Sequence, residues 1–354
     1  MTGPPPVVGG AAQLTAPWLT AALAGRLDGA TVTEVGAAPV GTGQVADSLR
    51  LTLTYDRPVD LPATLVAKVP AAAEASRAAA RAVRTYEIEA SFYAEIAPGL
   101  RARVPECFHC AYDPEHDDFV VLLEDLAPAV QADQITGMTV PDAAAALAEL
   151  ALLHAARWGD PALAESPWLN RNTPEATAFT AEMVTGLYPG FRERYAGRLE
   201  PDSLALIERF LPHLAGYLGA RYETWTIVHG DFRADNLLVG APRVAVLDWQ
   251  TCAYGPAAAD VSYFLGSSLS VTDRRAHEED LVRGYHRALT AHGVGLDWDE
   301  CWTGYRRYAF NGLVMAVGAA MLVERTVRGD EMFCTMADRH ARHALDLDSA
   351  ALLP

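Results

Sequence analysis

The sequence predicts an α+β protein in two parts: a small β-rich domain over residues 1–126 with one long helix, then a larger, mainly helical domain over 127–354. Three observations carry this. Period-two apolar runs crowd the first 126 residues, helical periodicity dominates afterwards, and one compact β region interrupts the helices between residues 225 and 249. A chain of 354 residues, 51% hydrophobic and 21% charged, is long and apolar enough for two globular domains.

Taken in order, the first ten residues, "MTGPPPVVGG", are rich in Pro and Gly and are expected to be disordered. "LTAPWLTAALAGRL" (14–27) has helical spacing, with Thr15 as N-cap ahead of Pro17. "ATVTEVGAAPV" (30–40) leads through a turn at Gly41 and Gly43 into "DSLRLTLTYD" (47–56), which alternates with period two. "ATLVAKVP" (63–70) is a short strand stopped by Pro70, and one helix is expected over 72–97. "VPECFHCAYD" (104–113) and "DFVVLLEDL" (118–126) read as a hairpin. Residues 127–139 read as a loop, and "PDAAAALAELALLHAARW" (141–158) as a helix with Pro in its first turn. Helical patterns recur near 174–187, 201–220, 272–292, 298–327 and 330–353, around the strands of "WTIVHG", "NLLVG" and "RVAVLDW".

Charge and composition narrow the function. With 28 basic and 45 acidic residues the formal net charge is −17, which argues against a partner held by nucleic-acid phosphates. Such a surface suits solubility, and also cationic ligands. The N-terminus has no basic segment followed by an apolar one, as a secretory signal would, and the longest apolar stretch (312–323) is too short to span a bilayer. Five cysteines, scattered except for Cys107 and Cys110, fit a reduced, cytoplasmic setting. Of the 28 basic residues all are arginine except one, Lys68.

The chemistry concentrates in "HGDFRADNLL" (229–238) and "AVLDWQ" (245–250). Phosphoryl transfer needs a cover over the phosphates, a cation on them, divalent metal, and a base beside the attacking hydroxyl. Each part has a candidate, in a consistent chain order. Gly41 and Gly43 sit where backbone N–H groups can approach phosphate, although an ordinary hairpin turn would use the same residues. Lys68 puts a compact ammonium on a strand, where a planar guanidinium would need a different approach. Glu89, on the helix that follows, is the preferred partner for Lys68 over Glu87. Asp231 would accept or orient the proton of a substrate hydroxyl. Asn236 and Asp248 offer the hard oxygen ligands magnesium prefers.

These stretches, with "DVSYFLGSSL" (260–269), resemble the aminoglycoside phosphotransferase and choline kinase superfamily, and most closely its ecdysteroid-kinase-like branch. The resemblance implies a two-lobed protein-kinase-like fold that uses ATP or GTP with Mg2+ to phosphorylate a small hydroxylated acceptor. It implies Asp231 as base, Asn236 and Asp248 as metal ligands, and Lys68, held by Glu89, on the α/β-phosphates. It makes "VLLEDLAP" (121–128), centred on Glu124, the hinge that meets the nucleotide base. Gly230 and Trp249 depart from the protein-kinase pattern and favour a small-molecule acceptor. The acceptor stays open: acidic balance points to a cation, the branch to a bulky apolar alcohol. The alternative reading is a kinase-like protein that binds nucleotide without transfer.

Other signals carry less. "CFHC" (107–110) lacks the further ligands of a zinc site, and strand alternation would send Cys107 and Cys110 to opposite faces. His154 reads as a satisfied core histidine, Asp297 and Asp299 as helix-start acids, and Trp302, Tyr305 and Tyr308 as core aromatics.

Overall fold

The computed structural model describes residues 5–41, 45–170, 173–222 and 224–354. These residues divide into two compact units. One comprises Met1–Leu100, Val104–Pro128 and Leu247–Cys252; the other comprises Arg101–Arg103, Ala129–Val246 and Ala253–Pro354. The segment 247–252 thus packs with residues far ahead of it in the chain.

The first unit is built on a five-stranded antiparallel sheet. Its strands are β1 (Val32–Pro39), β2 (Ala46–Tyr55), β3 (Thr64–Pro70), β4 (Cys107–Asp113) and β5 (Asp118–Glu124), in the order β1-β2-β3-β5-β4. Helix α1 (Ala16–Ala22) is capped by Thr15 and buries Trp18 and Leu19 against one sheet face. That face carries Leu49, Leu51, Leu65, Ala67, Val69, Val120 and Leu122. Because strand side chains alternate, Lys68 lies on the opposite face from Ala67 and Val69. The expected disorder of residues 1–10 does not extend to the described part of the segment. Val8 is buried in this core, and the Trp18 indole donates to the Pro6 carbonyl at 2.8 Å.

The single helix expected over 72–97 is instead broken. Helix α2 (Glu74–Ala82) ends before Arg84, which adopts a left-handed φ of 59°; α3 (Thr85–Ser91) restarts there and runs into a π-helical turn, Phe92–Ile96. Helical periodicity persists through the break, so sequence pattern alone cannot locate it.

The second unit is mainly helical, with α4 (Val140–Ala156), α5 (Ala162–Glu165), α6 (Pro174–Arg194), α7 (Pro201–Phe210), α8 (Leu214–Gly219), α9 (Ala257–Ser268), α10 (Val271–Ala291), α11 (Trp298–Arg307), α12 (Asn311–Leu322) and α13 (Val327–Asp346). Its core joins α6, α7, α12 and α13 through residues such as Phe191, Phe210, Leu313, Val317 and Ala337, with Phe210 stacked on Phe310. Two small sheets accompany the helices. Strand β6 (Val130–Gln131), within the expected loop, pairs with β8 (Leu237–Val239), which also pairs with β9 (Ala245–Val246); β7 (Trp225–Val228) pairs with β10 (Ala253–Pro256). Helix α9 has no apolar stripe to announce it, because nearly every residue in it is buried. No helix among the described residues is long and apolar enough to cross a membrane.

Candidate active site

Each unit gathers its own set of the predicted residues. In the first, the Lys68 ammonium lies 2.6 Å from the Glu89 carboxylate and 2.8 Å from that of Asp248. Glu89, not Glu87, meets the lysine; Glu87 pairs with Arg84. The Glu89 side chain is 1% exposed, Lys68 13% and Asp248 30%, so the lysine bridges a buried acid and one open to solvent. Burial opposes charge on Lys68, but the Asp248 and Glu89 carboxylates outweigh it and hold the ammonium above its ordinary pKa. Burial pushes the Glu89 pKa up, against the pull of Lys68.

Local structure fixes this trio. Lys68 pairs in register with Ser48 of β2 and Val121 of β5, so its backbone is locked from both sides. Asp248 has a left-handed φ of 66°, an uncommon conformation for a non-glycine residue. It accepts from the Gln250 side chain at 3.1 Å. The next residue, Trp249, is fully buried and stacks on Phe92 of the π-helical turn, with ring centroids 3.8 Å apart and planes 5° apart. That stack clamps the Asp248 backbone to the element that follows Glu89.

In the second unit, β7 delivers the chain into His229, Gly230 and Asp231, and Gly230 supplies a φ of 82° for the turn. The Asp231 carboxylate receives three donors: the Tyr263 hydroxyl at 2.8 Å on one oxygen, and Asn236 Nδ2 at 3.0 Å and Arg233 Nε at 3.1 Å on the other. Asn236 Nδ2 also donates to the Asp231 carbonyl at 2.8 Å, so the amide nitrogen is committed to Asp231. Burial, and then the Asp231 charge, hold the Tyr263 phenol well above its ordinary pKa, which keeps it a donor.

Asp260 was missed as a site residue. At the start of α9 it accepts from the backbone N–H groups of His229 at 2.7 Å and Gly230 at 3.0 Å. His154 of α4 bridges Asp260 through Nε2, at 3.3 Å, and the Tyr285 hydroxyl through Nδ1, at 2.7 Å. His154 is thus a satisfied buried histidine whose task is to hold Asp260. The available signal was the position of Asp260 itself: a carboxylate in the apolar run "PAAADVSYFLG" must find donors. Tyr263, three residues on, lies in the same apolar run.

Behind Tyr263 lies His340, its ring stacked at 5.4 Å and 13°. A Cβ at Gly312 would come within 1.9 Å of this imidazole, and one at Gly266 within 2.6 Å, so both glycines are sterically required. The ring nitrogens of His340 and His343 have no hydrogen-bond partner among the described residues. Burial, with the Arg274 and Arg339 charges, lowers the His340 pKa to about 3.

The remaining predicted residues have plainer surroundings. Gly41 has a φ of 75° with open space where a Cβ would stand, and Gly43 lies outside the described residues. Glu124 ends β5, opposite Leu65; its N–H donates to the Glu106 carbonyl and its carboxylate accepts from the Glu106 N–H. Asp297 caps α11 by accepting from the Asp299 N–H.

A sheet carrying a lysine paired to a helical glutamate, and a helical unit carrying a braced Asp with Asn five residues on, define the protein-kinase-like fold of small-molecule kinases. The family description "ecdysteroid kinase-like" matches residues 44–296, and the chain belongs to that family. Solved structures share the fold. A candidate aminoglycoside phosphotransferase from Ralstonia eutropha is 17% identical with a TM-score of 0.56, over 93% of this chain and 97% of that one. Choline kinase from Cryptosporidium parvum is 9% identical with a TM-score of 0.57, over 90% of each chain. An aminoglycoside phosphotransferase in complex with GDP and kanamycin is 12% identical with a TM-score of 0.50, over 80% of this chain and 86% of that one. Mouse acyl-CoA dehydrogenase family member 10 is 31% identical over 126 residues, a match that spans 31% of this chain and 12% of that protein.

Proposed function

We propose that this protein transfers the γ-phosphoryl group of ATP or GTP to a hydroxyl of a small molecule in the cytoplasm. The observation that carries the reading is the trio of Lys68, Glu89 and Asp248, drawn together from positions 21 and 180 residues apart. Lys68 would place its ammonium on the α/β-phosphates, with Glu89 fixing its direction. Asp231 would take or orient the proton of the acceptor hydroxyl. Its three donors hold both carboxylate oxygens in place, which supports a positioned base. Residues 1–126 would form the nucleotide-binding lobe, with Gly41, Gly43 and the backbone around Glu124 against the nucleotide. Residues 127–354 would form the lobe that takes the acceptor.

The donors present fit magnesium, which prefers hard oxygens. Asp248 is partly exposed, and Asn236 turns its amide nitrogen to Asp231, which would leave the amide oxygen for a metal. Magnesium, when bound, bridges and neutralises phosphate oxygens.

The acceptor is best read as a neutral alcohol. Arginines already pair with acids around Asp231: Arg233 with Asp231 and Asp235, and Arg328 with Asp235 and Asp133. Little negative charge is left there for a polycation. The test is a screen of hydroxylated metabolites, neutral alcohols and aminoglycosides with magnesium-ATP, read as the mass gain of one phosphate. Transfer to a neutral alcohol, lost in Asp231→Asn, is expected. Transfer to aminoglycosides alone overturns the acceptor reading, and transfer undiminished in Asp231→Asn overturns the assignment of the base. Magnesium should add to the thermal stabilisation given by ATP, and Asp248→Ala should remove that increment; an unchanged increment would place the metal on other residues.

A further inference from the structure

Strand β4 departs from simple alternation. Cys107 pairs with Leu123 and His109 with Leu122, so a bulge falls at Phe108. Two consecutive side chains then share one face. Phe108 packs with the core around α1, and the His109 ring meets Trp18 edge-on. Cys107 and Cys110, on either side of the bulged pair, therefore share the other face, with their thiols near enough to shift each other's titration. The expectation that alternation separates them fails because the bulge shifts the period by one residue.

The geometry points to Cys107 and Cys110 as a reversible dithiol–disulfide modification site, with Cys110 attacking a hydroperoxide and Cys107 resolving the product. Both are half-buried, whereas Cys252, Cys301 and Cys334 are buried. The neighbouring Cys107 thiol lowers the pKa of Cys110, whereas the Cys110 thiol and burial raise that of Cys107, which makes Cys110 the readier thiolate. The Tyr93 phenol lies close enough for charge on either cysteine to raise its pKa. It is buried, and its hydroxyl has no partner among the described residues.

The reaction balances with hydrogen peroxide as oxidant. The Cys110 sulfur attacks one peroxide oxygen; an S–O bond forms as the O–O bond breaks, and the departing hydroxide takes up the thiol proton as water. The Cys107 sulfur then attacks the Cys110 sulfenic acid. An S–S bond forms as the S–O bond breaks, and the oxygen leaves as a second water with the Cys107 proton. Two thiols lose two electrons, and one peroxide becomes two waters.

The test uses the reduced 354-residue chain and no activity readout, so its outcome is independent of the kinase reading. Peroxide should lower the intact mass by two hydrogens, peptide mapping should link Cys107 to Cys110, and dithiothreitol should restore both thiols. In Cys107→Ser, peroxide followed by dimedone should label Cys110; in Cys110→Ser, Cys107 should stay unlabelled. First oxidation at Cys252, Cys301 or Cys334, or cross-links only between chains, overturns the assignment. So does retention of both strand thiols under peroxide. If Cys107→Ser fails to fold, differential alkylation of the unaltered chain still identifies which thiols are lost first.

Discussion

Lys68 is one ammonium shared by two carboxylates, whereas Asp231 is one carboxylate served by three donors. The first cluster sets one ammonium against two carboxylates and keeps one of them partly exposed, as would suit the cation-binding role proposed for Asp248. The second has more donors than its carboxylate needs for charge balance, as suits a group whose direction matters. The same side chain, aspartate, is thus given opposite surroundings in the two units. In one, the backbone is bent into a left-handed turn to present it. In the other, side chains from a loop and a helix hold it still.

The sharpest break of this contrast is Asp231→Asn. Turnover should fall about 10²–10⁴-fold while nucleotide affinity, measured by calorimetry, stays near the parental value. Turnover near the parental rate would leave Asp231 as a fixed structural acid. Next in size is Lys68→Met, which strands the buried Glu89 charge and should cost about 3–5 kcal/mol in urea unfolding. Adding Glu89→Gln should restore part of that loss; no recovery would mean that the lysine stabilises the unit through Asp248 instead.

Tyr263→Phe removes one of the three donors and nothing else from the core. A hydrogen bond to a charged group is worth about 1.5–3 kcal/mol, so turnover should drop about 10–100-fold with KM little changed. A change in KM alone would make Tyr263 an acceptor contact. The smallest effect concerns His340. In the unfolded chain an imidazole takes a proton below about pH 6.5. In the folded chain His340 does so only near 3. The unfolded state therefore binds more protons between those values, and stability falls as pH drops through that window. His340→Gln should remove about 2 kcal/mol of the stability lost between pH 6.5 and 5. Parallel unfolding curves at the two pH values measure this, and an unchanged difference would mean that His340 is protonated in the fold.

What could be read in advance follows from distance along the chain. The strands of the first unit announce themselves because alternation is a local signal, and Lys68 stands out because no other lysine exists. The spacing of Asp231 and Asn236 is likewise local. Asp260 and Tyr263 were not legible as site residues, because their partners lie about 30 residues away and their surroundings are uniformly apolar. The left-handed backbone at Asp248, the break at Arg84 and the bulge at Phe108 each depend on packing that no periodicity encodes.

The solitary lysine also makes the chain a reporter of its own opening. An endoprotease that cuts after lysine has a single target, the Lys68–Val69 bond, and that bond lies in a strand paired on both sides. Cleavage requires the central strand to leave the sheet. When reclosing is fast relative to cutting, the rate at which two fragments appear measures how often that happens. One gel lane then reads the opening free energy of the five-stranded sheet, undisturbed by fraying at the termini or in surface loops.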